Sequence, residues 1–393
     1  RQRRALQRDA ARDEFAVARP VARLREDSWK QIELARFELA ERDRFHAEIA
    51  ALRLRIGRDG RPAFAIPMEN SSRDPELIAL DGLSMAAWLD KNGYRSPGLR
   101  WYVEYACRDD FGGTLEEVSA WAGLHYYAAR GEDEDDQFLV WPEGLGFLAR
   151  KLTEALGPCV RTGALAYEVA PDADGVRVDY YDAATGSTRR ILAKRAIVCA
   201  PRFVARRIVK PLREDKSPSA FTYAPWFIAN LTVADPPAGV GASPAWDNVL
   251  YSGEGLGYVD ATHQSFSLER RRSVWTYYHP LTGNPDAQRA AAYKKSLAEW
   301  REICLADLER ALPGLRRRVT RFDGWVWGHG MILPKPGFVW GRERQDAVKP
   351  VGAIHFAHSD LSGFSIFEEA NDRGVRAAEA VLSALGKPHR SSL

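Results

Sequence analysis

Apolar residues near the front of the chain recur at helical spacing. Phe45, Ile49, Leu52 and Ile56 are four, three and four positions apart, which places them on one helix face. Gly57 and Gly60 end that helix in an exposed GRDGRP loop. Residues 61–137 keep a helical pattern. One run, with Asp81 as N-cap, ends at Asn92-Gly93, and a second opens on Thr114 with Glu117 three residues on, a capping-box spacing. The period changes at Phe138. FLVWPEGLGFLARKLTEALG reads as strand, turn and helix, and a β meander follows in which GVRVDYY alternates by two, Ala184–Gly186 turns, and RAIVCAP forms a buried strand ending at Pro201. Antiparallel strands alternating with turns are expected in APWFIANLTVADPP and around NVLYSGEGLGYVDATHQSFSLERRRSVWTYYHPL, then one long helix over PDAQRAAAYKKSLAEWREICLADLERALPGL. The last pattern is a strand (Ala353–Ala357), a turn rich in Ser, Asp and Gly, and a helix ending near Leu385.

Composition narrows this little. The 393 residues suffice for about two domains. With 56 basic and 53 acidic side chains the net charge is +3, which leaves no nucleic-acid footprint. No apolar run approaches the roughly 18–20 residues of a membrane span. Cys107, Cys159, Cys199 and Cys304 stand far apart without a CxxC pair, so neither zinc nor a redox dithiol is indicated. His355 and His358, three apart on a strand and its exit turn, do not face a common point, and no metal site is expected. The acidic GEDEDD loop at 131–136 lacks EF-hand spacing. No GxSxG elbow supports a hydrolase.

The C-terminal stretch carries the most chemistry. Its strand delivers Asp360 to a carboxyl end, and the helix after it points its N-terminal N–H groups, about half a positive charge, at whatever lies above. Phe356, Ala357, Asp360, Gly363, Glu368, Ala370, Gly374, Ala377 and Ala378 stand in register with the flavin-contacting segment of the FAD-dependent amine oxidase superfamily, which this stretch resembles. The resemblance covers about Phe138–Val209 and Gly324–Leu385. It implies an α/β chain with a GR2-type FAD-binding fold and a mixed α+β substrate domain. The expected divisions are 1–60 (helical segment), 61–137 (helical part of the substrate domain), 138–210 (FAD-domain meander and helix), 211–320 (substrate sheet and helix) and 321–393 (FAD-domain strand and helix).

That resemblance implies noncovalent FAD held by Phe356, Ala357, Ser359, Asp360, Gly363, Ile366, Phe367, Glu368 and Ala370. Ala166 would lie beside the adenine, and Trp327 would wall the isoalloxazine. Asp360 would take a ribityl hydroxyl. The family's strand–GxGxxG–helix unit, which seats the pyrophosphate, has no counterpart in the first hundred residues, and Gly253–Gly257 leads into no helix. The GR2-type fold is therefore expected to be incomplete at its N-terminus, with an N-terminal segment or partner chain supplying that unit.

Three departures bear on the chemistry. Asn230 stands where many relatives place a lysine near N5. Ile366 and His329 replace the two aromatics that frame an amine. His329 also replaces the cysteine that attaches FAD in some members. His329, between Gly328 and Gly330, and Asn230 are the candidate catalytic residues. Softer candidates for substrate contact are Asp323 with Trp325, His263 with Gln264, and Tyr277 to His279.

The expected activity is hydride transfer from a C–N or C–C bond of a small or apolar substrate to flavin. A polyene desaturase-like enzyme, or a redox-silent subunit completing a partner, are the alternatives. The partners implied are a small-molecule substrate and that supplying segment or chain, with a homo-oligomer allowed. The compartment is left open between cytoplasm and, given an export signal, periplasm.

Overall fold

The computed structural model describes residues 28–130, 141–237, 245–251, 253–264 and 271–391. The acidic loop and the expected strand start at Phe138 lie outside them. Helix α1 (Ser28–Leu54) leads into a helical layer of α2 (Met85–Lys91), α3 (Pro97–Phe111) and α4 (Ala120–Ala128). Its core joins Phe45 and Ile49 of α1 to Leu89, Tyr94, Val103, Trp121 and Phe364. Then come α5 (Gly146–Leu156) and the meander β1 (Ala164–Asp172), β2 (Gly175–Asp182) and β3 (Ser187–Ala193). Strand β4 (Ala196–Val198) precedes α6 (Arg202–Ile208).

The five-stranded antiparallel sheet runs β6-β7-β8-β5-β9. Its strands are β5 (Tyr223–Ala234), β6 (Asp247–Val249), β7 (Gly257–Asp260), β8 (Arg272–Pro280) and β9 (Val319–Ile332). Helices α7 (Pro285–Lys294) and α8 (Leu297–Glu309) cover one face, where Phe227 stacks on Trp300 with centroids 4.2 Å apart. β10 (Ile354–Phe356) pairs in parallel with β4, and α9 (Phe367–Ala384) follows. Among the described residues no helix is long and apolar enough to cross a membrane.

Four expectations shift. Asp81 does not cap α2. It is 2% exposed in a 3₁₀ turn and accepts the Trp340 N–H at 2.8 Å, while Ser84 Oγ caps through Ala87 N at 3.1 Å. Thr114 begins a turn rather than a helix. Glu117 does reach back to its N–H at 3.0 Å, but α4 starts under Ser119, whose Oγ accepts from Ala122 N at 3.2 Å. The long helix is two, because Ser296 accepts from Glu299 N at 3.3 Å and Glu299 accepts from Ser296 N at 2.7 Å, a capping box that restarts the chain. Finally, β9 runs through the expected boundary at 320/321, paired with β5 from Val319 to Ile332. A strand hydrogen-bonded along its length cannot be divided there.

Candidate active site

The strand β10 and the turn after it are held by β4: Phe356 lies opposite Val198, and Ala357 N donates to Val198 O at 3.0 Å. Phe356 and Ala357 are buried, as is Ser359. The turn brings Asp360 to 1% exposure. Its Oδ2 accepts from Arg202 N at 2.6 Å, at the start of α6, and from the Tyr223 hydroxyl at the start of β5. Burial, then the charge of Asp360, pushes the Tyr223 phenol far up, so it remains a donor. Oδ1 is buried and has no hydrogen-bond partner among the described residues. His358 Nδ1 lies 3.1 Å from it and accepts the Asp360 N–H at 3.2 Å.

Next along the chain, Gly363 adopts φ +94°, with Phe338 3.4 Å from where a Cβ would stand. Ile366 is the N-cap of α9 and offers no side-chain cap, which leaves the helix's first N–H groups to another partner. Phe367, Glu368 and Ala370 are exposed at that end. Glu369 turns inward to complete burial. One oxygen accepts from Met68 N at 2.5 Å, and desolvation raises its pKa.

His329 joins this cluster. Its ring stacks on Phe203 at 4.2 Å and meets Tyr223 edge-on at 5.8 Å. Burial first, then the charges of Arg289 and Arg207, lower its pKa and keep the imidazole neutral. The flanking glycines give close approach rather than freedom. A Cβ at Gly328 would lie 2.3 Å from Tyr293 Oη, and one at Gly330 would lie 2.7 Å from the Trp226 ring.

Other expected residues stand apart. Asn230 is on β5, roughly 23 Å along the strand from Tyr223 at about 3.3 Å per residue, and its Oδ1 accepts from Thr276 at 2.9 Å. It does not meet the C-terminal segment. Trp327 lies opposite Trp226 on β9, 57% exposed. Ala166 sits opposite Tyr180 on β1, before the Val169–Val209 bridge that ties the meander to the end of α6. His263 and Gln264 lie in a 3₁₀ turn.

Residues 34–382 match the flavin containing amine oxidoreductases. The chain belongs to that family. Among solved structures, this family member resembles putrescine oxidase bound to putrescine, at 20% identity and TM-score 0.63, over 88% of this chain and 76% of that one. A triple mutant of putrescine oxidase gives 19% identity and TM-score 0.64, over 89% and 76%. Cyclohexylamine oxidase from Brevibacterium oxydans gives 16% and 0.55, over 80% and 70%. At these identities the likeness is one of fold. No curated protein sequence matches. FAD is the cofactor of this oxidoreductase, and the Asp360 cluster fits it: a buried acceptor without a donor suits a sugar-like hydroxyl, and an uncapped helix N-terminus suits an anionic ring edge.

Sequence reasoning missed Arg202, Phe203 and Tyr223. The pointer to the first two was the strand ending at Pro201, since a proline there opens a helix whose first N–H needs an acceptor.

A second, half-buried group of acids lies where α3 meets the sheet. Tyr278 and Tyr105 donate to Asp247 at 2.6 and 3.3 Å. Burial, then repulsion from Asp110 and Asp247, pushes Asp109 up to about 7. A carboxyl raised in the folded state binds protons the unfolded chain has already lost, so stability falls as pH climbs from about 4 through 7. Asp109→Asn should flatten that slope and stabilise the protein at pH about 8 by roughly 2–4 kcal/mol. Denaturant midpoints across the range check this, and parallel curves for both proteins would refute it.

Proposed function

We propose that this oxidoreductase oxidises a C–N or C–C bond of a small or apolar substrate at a site built on Asp360, the N-terminus of α9 and His329. The observation that carries the reading is the donorless Oδ1 of Asp360 beside that uncapped helix. When bound, FAD supplies the two-electron acceptor. Asp360 Oδ1 would accept a ribityl hydroxyl, while its Oδ2 stays committed to Arg202 N and Tyr223. The first N–H groups of α9 would hold the anionic edge of the ring. His329, neutral and fixed by Phe203, accepts the proton the substrate releases. Asn230 has no part in this reading.

Ile366, in the place of a framing aromatic, favours the polyene desaturase-like activity as second reading. The pyrophosphate half of the cofactor would be taken by a strand–GxGxxG–helix unit on another segment or a partner chain. Supporting this, α5 has no buried side chain, and Leu152 and Leu156 stand exposed on it with Leu145 at its N-cap, a face that such a unit would cover.

The test is anaerobic. The yellow band of the flavin-loaded protein should bleach with a primary amine under the first reading and with an apolar polyene under the second. A colourless chain that gains the band only when the missing unit is added supports completion by a partner. Failure to take up FAD in either form rejects the site.

A further inference from the structure

Away from the C-terminal segment, a cleft of about 340 Å³ opens between α3, the Gly253–Glu254 loop and the exit of β8. Glu104 and Arg108 line it from α3, four residues apart and so on one helix face. The Arg108 guanidinium donates to the Glu254 carbonyl, which leaves most of its fork unused. Among the described residues neither Glu104 nor Arg108 has an ion-pair partner within bonding distance. The two feel one another only through space.

Opposite them stands His279, whose tautomer the surroundings fix. Asp307, 5% exposed, accepts from Glu254 N at 3.1 Å, Gly255 N at 3.0 Å and the Tyr277 hydroxyl at 3.0 Å. A carboxylate can only accept, so Tyr277 spends its single proton on Asp307. Tyr277 Oη also lies 3.2 Å from His279 Nδ1, and that contact then requires Nδ1 to be the donor. Nε2 is left as a bare acceptor on a ring that lines the cleft. Burial, then the charge of Arg108, lowers His279 to about 4, so the ring is neutral near pH 7.

We propose that this cleft binds a small α-amino-acid-like zwitterion, its carboxylate on Arg108 and its ammonium between Glu104 and Nε2 of His279. The arrangement discriminates on charge. A simple amine meets Glu104 but is repelled by Arg108, and a simple carboxylate meets the reverse. A molecule with both groups on one carbon spans side chains that start about 5–6 Å apart. None of the lining residues belongs to the Asp360 cluster, so this site stands or falls independently of the redox reading.

Titration calorimetry on the full chain tests it with glycine, acetate and methylamine, since the last two are the halves of the first. Glycine should bind saturably, and each half roughly tenfold or more weaker, the worth of one charge-assisted hydrogen bond. Glu104→Gln should narrow the gap between glycine and acetate, and Arg108→Gln the gap between glycine and methylamine. Arg108→Lys, which keeps the charge, should retain glycine binding to within a few-fold. Absence of saturable heat with glycine, equal binding of all three probes, or unchanged glycine affinity in both glutamine variants would each overturn the proposal.

Discussion

Replacing Asp360 with alanine is expected to strip flavin from the protein and to cost roughly 3–5 kcal/mol of stability. One carboxylate oxygen joins the start of α6 to the start of β5 through Arg202 N and the Tyr223 hydroxyl. Its removal orphans two buried donors at once and releases the ring of Tyr223 against which His329 packs. The other oxygen has no donor among the described residues, so the proposed cofactor contact disappears in the same change. Asp360→Asn separates the effects, because its carbonyl can still accept from Tyr223 or Arg202 while the charge is lost. Flavin content after gel filtration and the denaturation midpoint are the two readouts. Full flavin content in the alanine variant would mean the ribityl chain is held elsewhere.

Asp307→Ala should be nearly as damaging, at roughly 3–5 kcal/mol, for a different reason. Its carboxylate collects two loop N–H groups and a phenol inside the core between the sheet and α8. Chemical denaturation measures the loss. A change below about 1 kcal/mol would show that the loop and Tyr277 find other acceptors.

What could be read from the sequence follows from how local each determinant is. The strand–turn–helix from 353 to 385 was legible because period, turn residues and helix length all lie within one stretch, and the structure places β10 and α9 inside it. Asp360 stood out for the same reason. Tyr223 did not, because the pairing spans 137 residues and depends on how β5 enters the sheet. Asn230 shows the complementary dependence. The strand was recognised, but its sliding position against the cofactor segment is set by pairing with β8 and β9, including an irregularity between Ala224 and Trp226. Caps failed by a few residues wherever two polar side chains competed. Asp81 was drawn into the core by Trp340, 259 residues away, and Ser84 took the helix. The break at Lys295–Ser296 was written as S-x-x-E, but an apolar pattern continuing on both sides masked it.

The order β6-β7-β8-β5-β9 also bears on synthesis. β5 is the first of these strands to leave the ribosome, yet both of its partners are made later, β9 some ninety residues on. Its row of unpaired N–H and C=O groups, with Trp226, Phe227 and Leu231 among them, stays open through that interval. The nascent chain therefore carries an adhesive edge until residue 332 is available, and a chaperone acting on this protein would find its longest-lived target there.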